Sequence, residues 1–171
     1  MKKAFALSAF VVFTLMLSSL VCAQTVVDLI AGGGDGVGTD VGDVTITFDG
    51  ANITVTVSVD SPWVALGNHV AVGTVDSDGE IYEIPVNKGG NPKVGKFPNK
   101  VGDVIPVPAI PEGGSLIVAV HVKVQDPNVV VVPDDPETPD VDETEYLEET
   151  AWGAGESFPG SNWAMYIVLE Q

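Results

Sequence analysis

Beyond residue 22 the chain has no cysteine, and arginine is missing throughout. Without cysteine there is no disulfide, no thiolate metal site and no thiol nucleophile. The missing arginine matters because the chain carries 24 acidic residues against seven lysines, a formal net charge of −17. Such a chain repels phosphate backbones and anionic lipid surfaces, which argues against nucleic-acid and nucleotide binding. Histidine occurs only twice, and no serine sits in a G-x-S-x-G elbow. No stretch of useful length carries the 3.6-residue period of an amphipathic helix, although residues 143–151 have room for one or two helical turns.

The first residues carry an address. Lys2 and Lys3 precede an uncharged stretch from Ala4 to Val21, and Val21-Cys22-Ala23 offers small residues before a cut at Gln24. This is the layout of a secretory signal peptide, residues 1–23, too short and wrongly flanked for a membrane span. The expected location is extracellular, on the cell surface or in the periplasm, with no integral membrane segment after processing. Acylation of Cys22 would need Gly, Ala or Ser where Val21 stands, so soluble release is favoured. Residues 24–171 then hold five lysines against 24 acids, a formal −19, and form one domain held by its core alone.

What fills that domain is alternation. In residues 52–60, Ile53, Val55, Val57 and Val59 share one face while Thr54, Thr56 and Ser58 share the other. This predicts a half-buried strand, and residues 43–48 pair with it in a hairpin through Asp49-Gly50-Ala51. Further strands are predicted at 25–30, 63–66, 69–72, 80–84, 103–107, 115–124 and 162–169. The expected fold is all-β: a single sandwich, Ig-like or jelly-roll-like, of about seven to nine strands. Residues 134–149, with nine acids in sixteen positions and two prolines, are expected to form one long acidic loop. Residues 87–100 hold Lys88, Lys93, Lys96 and Lys100. Contact between the basic loop of one copy and the acidic loop of another would give weak, salt-sensitive self-association.

The run AGGGDGVGTDVGD, residues 31–43, spaces Asp35, Asp40 and Asp43 among glycines. It lacks the repeats of a calcium-bound β-roll and the closing Glu of an EF-hand, and no helix pattern follows to make a dinucleotide loop. A glycine-rich turn between strands is the plain reading. The carboxylates admit a glycosidase-like pair by composition, but most lie in one solvated stretch where acid catalysis would be poor. Both histidines are strand-borne. His121 faces away from Leu116, Val118, Val120, Val122 and Val124, alongside Ile117, Ala119 and Lys123, and His69 lies opposite Val70 and Val72. Together with Glu149 they are candidates for a His-His-carboxylate site for a divalent metal. The competing reading is two half-buried, hydrogen-bonded imidazoles, and no cofactor is predicted.

The last two dozen residues crowd aromatics among glycines: Trp152 before Gly153-Ala154-Gly155, then Phe158, Asn162, Trp163 and Tyr166. Alternation puts Trp163, Met165, Ile167 and Leu169 on one face, with Tyr166 and Val168 on the other. Such aromatics either plug an open end of a sandwich or make a platform for a ligand such as a sugar ring. The pieces NHVAVG, GNPKVGKFP, IVAVHVKV and ETAWGAGESFPGSNWAMY, in that order, resemble a domain of extracellular and cell-surface proteins of bacteria and archaea. That family pairs two strand-borne histidines with a G-N-P…G-x-F-P loop and a terminal E-T-A-W-x-x-G…F-x-G-x-N-W-A-x-Y signature. The resemblance covers about residues 63–171, and the acidic insert is longer than the family pattern. It implies a β-rich surface domain with His69, His121, Glu149, Trp152, Gly155, Asn162 and Trp163 at signature positions.

The terminal motif is therefore expected to lock the last strand against the two histidine-bearing strands, and any binding cluster of His69, His121, Glu149, Trp152, Asn162 and Trp163 lies there. The expected function is an exported, non-catalytic binding or surface-structural module, with a cell-surface protein or carbohydrate as partner. The alternative is a metal- or carbohydrate-dependent site, hydrolytic in one version, at the His/Trp end.

Overall fold

The computed structural model describes residues 23–33, 38–131 and 145–169. Ten strands make one antiparallel sheet: β1 (Ala23–Ala31), β2 (Thr39–Phe48), β3 (Asn52–Val59), β4 (Val64–Val75), β5 (Ile81–Tyr82), β6 (Val104–Pro106), β7 (Ser115–Val131), β8 (Glu145–Gly153), β9 (Glu156–Ser157) and β10 (Met165–Leu169). Their order is β5-β4-β7-β8-β1-β2-β3-β6, and β10 joins the early part of β7. Helical structure among the described residues amounts to a 3-10 turn at Val94–Lys96 and the single residue Gly33. The all-β, sandwich-like expectation holds. The strand count passes the expected nine because β8 and β9 left no alternation pattern in the sequence, while two predicted strands merge into β4.

The sheet folds over itself. Leu29, Val44, Ile46, Ile53 and Val55 of β1–β3 pack in one core with Val70, Leu116, Val118, Val120, Ile167 and Leu169 of β4, β7 and β10. Residues 99–106 tie the two halves together. Asn99 exchanges backbone hydrogen bonds with Val70 of β4, the Gly102 N–H donates to the Val55 carbonyl, and β6 pairs with β3. The β2–β3 hairpin is held by Asp49, whose Oδ1 accepts from the backbone N–H groups of Ala51 at 2.9 Å and Asn52 at 2.7 Å.

β7 is central, and both of its faces are covered in its first half. Leu116, Val118 and Val120 point into the main core, while Ile117 and Ala119 enter a second cluster with Ala71, Ile84, Phe97, Trp152, Phe158 and Ala164. A strand buried on both sides reads as a near-continuous apolar run, as S-L-I-V-A-V does.

Four local expectations are corrected. The predicted strands at 63–66 and 69–72 are one strand, β4, whose pairing with β7 slips between Ala65 and Gly67 and leaves Leu66 as the extra, exposed residue. β7 runs on past residue 124 to Val131 with a break in register between Asp126 and Val130, where Pro127 has no N–H to donate. Residues 143–151 make no helical turn where they are described: β8 pairs with β7 from Glu145 onward, so cross-strand pairing overrides the local preference of Glu, Leu and Ala. Residues 145–149, expected in the acidic loop, belong to that strand, and residues 134–144 lie outside the described residues. Asp35 lies outside them too. The glycine run does link two paired strands, β1 and β2. Among the described residues no helix is long and apolar enough to cross a membrane.

Candidate functional site

Antiparallel register builds the site. β4 sets His69 opposite His121 on β7, and β7 sets His121 opposite Trp152 on β8. Three side chains thus stand in one row across three strands, on the sheet face away from the main core. The two imidazole centroids are 6.0 Å apart, and the edge of Trp152 meets His121 at 5.0 Å and 71°. Trp152 is 4% exposed. Phe97 and Phe158 pack around it at 6.4 and 6.3 Å, and Tyr166 meets Phe158 edge-on at 5.1 Å. Aromatic pairs at these separations and tilts are favourable beyond their buried area.

Two loops roof this row. The Asn91 Oδ1 accepts the Asn162 N–H at 2.9 Å, and Gly160 sits directly against the Asn91 side chain. Asn87 Oδ1 in turn accepts from the Gly89 and Asn91 N–H groups, which shapes the first loop. The Phe158 N–H donates to the Ala164 carbonyl at 3.0 Å and closes the second. The G-N-P loop and the F-P-G-S-N segment therefore form one unit, although about seventy residues separate them in the chain. Gly155 lets the chain cross hard against the Tyr166 carbonyl, where any Cβ would collide.

Between roof and sheet lies an open cleft of about 510 Å3. Its floor is His121, Thr150 and Trp152; Pro92 and Val94 form one wall, and Ser161 to Ala164 form the other. Trp163 is braced from outside the cleft by Gly33: a Cβ on that glycine would lie 2.7 Å from the indole Cε3.

Burial first, then the neighbouring His69 and the Lys100 ammonium, push the His121 pKa down to about 4. His69 is lowered by burial and by Lys100, whose Nζ donates to the Asn68 carbonyl at 2.7 Å. Both imidazoles are therefore neutral at pH 7, and each has a buried Nδ1 with no hydrogen-bond partner. Beyond His121 on the same face, Lys123 pairs with Glu148 at 2.5 Å in an exposed ion pair of little energetic weight.

The structure gathers His69, His121, Trp152, Asn162 and Trp163 at this end and leaves Glu149 out. Glu149 is the partner of Val124 on the opposite face of the sheet, with its carboxylate beside Gly32 in a separate 170 Å3 cavity lined also by Trp63. A His-His-carboxylate set does not converge, and among the described residues no three His, Cys, Asp or Glu do. The donors present do not fit that metal centre. The expected shared face of residues 163–169 also divides: Trp163 and Met165 pack with the outer cluster, while Ile167 and Leu169 enter the main core, as β10 pairs with β9 at Met165 and Tyr166 and with β7 from Ile167 onward.

Sequence reasoning missed Thr150, Ser161, Pro92 and Val94 as parts of the cleft, and Gly33 as its brace. Phe97 and Phe158 are the two further aromatics that pack on Trp152. Their signal was the F-P pair common to GKFP and ESFPG, each placing a Phe on Trp152. No known protein family, curated protein or solved structure matches this chain.

Proposed function

We propose that the protein is an exported, non-catalytic binding or surface-structural module whose binding place is the cleft over His121 and Trp152. The observation that carries this reading is the state of His121. A catalytic imidazole needs a partner to orient its second nitrogen and a pKa near the working pH. His121 has a partnerless Nδ1 and a pKa near 4, beside a Trp152 that is committed to packing. What remains open to a ligand is a cleft with an indole on its wall and short polar groups on its rim. The terminal motif thus serves as a plug whose outer surface is the binding place.

A second reading rests on the two buried Nδ1 atoms, which could donate to a metal ion at the same end. Sedimentation of the purified protein with cell envelopes of the producing strain separates the two. A non-catalytic cleft module co-sediments with envelopes, loses this on Trp163→Ala, and keeps it in EDTA. Binding abolished by EDTA and restored by zinc or copper establishes the metal reading instead. Soluble protein under all conditions refutes both.

A further inference from the structure

We infer that the cleft over His121 and Trp152 takes a neutral, hydroxylated ring: a sugar unit of an uncharged polysaccharide. The inference rests on the binding reading above and names its ligand class.

Charge is the first observation. The chain carries 24 acidic residues, yet among the described residues no carboxylate and no ammonium lines this cleft. The one titratable group on its floor, His121, is neutral at pH 7. An ionic ligand entering here would lose hydration and find no counter-charge. Acidic ligands would also meet the repulsion of a −17 chain, whereas an uncharged polysaccharide is indifferent to that field.

The second observation is a braced aromatic wall. Gly33 lies against the benzo ring of Trp163, with Cδ2 and Cζ3 each 3.1 Å from where a Cβ would stand. Any larger residue at position 33 would push the indole out of place. An aromatic ring fixed before binding costs little ordering entropy when a ligand stacks on it. The axial C–H groups of a pyranose supply an apolar face of the kind an indole covers.

The rim is the third. Thr150, Ser161 and Asn162 are short polar side chains on firm supports: Thr150 on β8, and Asn162 tied through its N–H to Asn91 Oδ1 at 2.9 Å. A purely aliphatic ligand would cover these groups without replacing their water contacts. A ring with one apolar face and a hydroxyl edge satisfies wall and rim together. The cleft's ≈ 510 Å3 lies within the roughly 300–1,000 Å3 of small-molecule sites. An extended peptide fits less well, because the floor is the face of β7 and β8 and offers no free strand edge to pair with.

Native-gel affinity electrophoresis tests the proposal with mannan, galactan, dextran and a mixed-linkage glucan as neutral probes, and alginate and chondroitin sulfate as acidic ones. The expected result is retardation of the protein by at least one neutral polysaccharide and by neither acidic one. Trp163→Ala should weaken that retardation at least about tenfold in Kd. Thr150→Asp, an exposed change that places a carboxylate on the floor, should do the same with an unchanged melting temperature. Retardation that survives both variants places the sugar elsewhere and overturns the proposal. So does a protein that no neutral polysaccharide retards. If envelope sedimentation still depends on Trp163 in that case, the binding module stands and its partner is a protein; if that dependence is also absent, both readings fall.

Discussion

Acidification should loosen the His/Trp end through its two imidazoles, His121 above all. In the folded chain His121 has its pKa lowered from 6.5 to about 4, chiefly by burial. A group with a depressed folded pKa binds its proton more readily when unfolded. Stability is therefore full above about pH 6.5 and is lost as the pH falls toward 4. With these two pKa values, linkage gives a loss of about 2 kcal/mol between pH 7 and pH 5. The ring is only half-buried, and water at its open edge screens the new charge, so about 1 kcal/mol is the expected loss.

The control is His121→Phe, which keeps an aromatic ring beside Trp152 and removes the proton. It also removes a buried nitrogen that has no partner, so the variant should be close to the parent in stability at pH 7 and about 1 kcal/mol more stable than it at pH 5. Urea unfolding of both proteins at pH 7, 6 and 5 reads the difference. Asp49 and Asp76 also have lowered pKa values, through backbone N–H donors, but their contributions are lost below pH 4, outside this window. Parallel stability curves for parent and variant across pH 5–7 would refute the reasoning.

Trp152→Ala should cost about 3–5 kcal/mol, because it removes a 4% exposed indole from among His121, Phe97 and Phe158; thermal or urea unfolding gives the value, and a loss below about 1 kcal/mol, in the range of a surface change, would contradict the plug. Gly155→Ala drives a methyl into the Tyr166 carbonyl and should destabilise by about 1–3 kcal/mol. A neutral result in the same assay would mean that β8 and β10 do not cross as tightly as described.

Much of the architecture was legible in residue order. Alternation along 52–59 and 115–124 is local, since the pleat sends neighbours to opposite faces whatever the sheet's partners are. It therefore placed His121 and His69 correctly on the face away from Leu116–Val124 and Val70. β8 was not legible, because its run of Glu and Leu has no clean alternation and takes its conformation from pairing with β7. The residues of the plug were visible as unusual types, aromatics beside glycines, but their mutual contacts were not.

Which faces come together depends on register between strands distant in sequence, and a shift of one residue reverses every side chain. Register put Trp152 beside His121 and sent Glu149, three residues earlier, to the other side of the sheet. Likewise the asparagine at 91 could be read as a turn residue, whereas its bond to the Asn162 N–H exists only once two loops meet. Sequence by itself determined the strand faces and the types of residue available. The tertiary fold decided which of them share a cleft, because that choice is made by pairing and packing across the sheet, where one chain segment meets another.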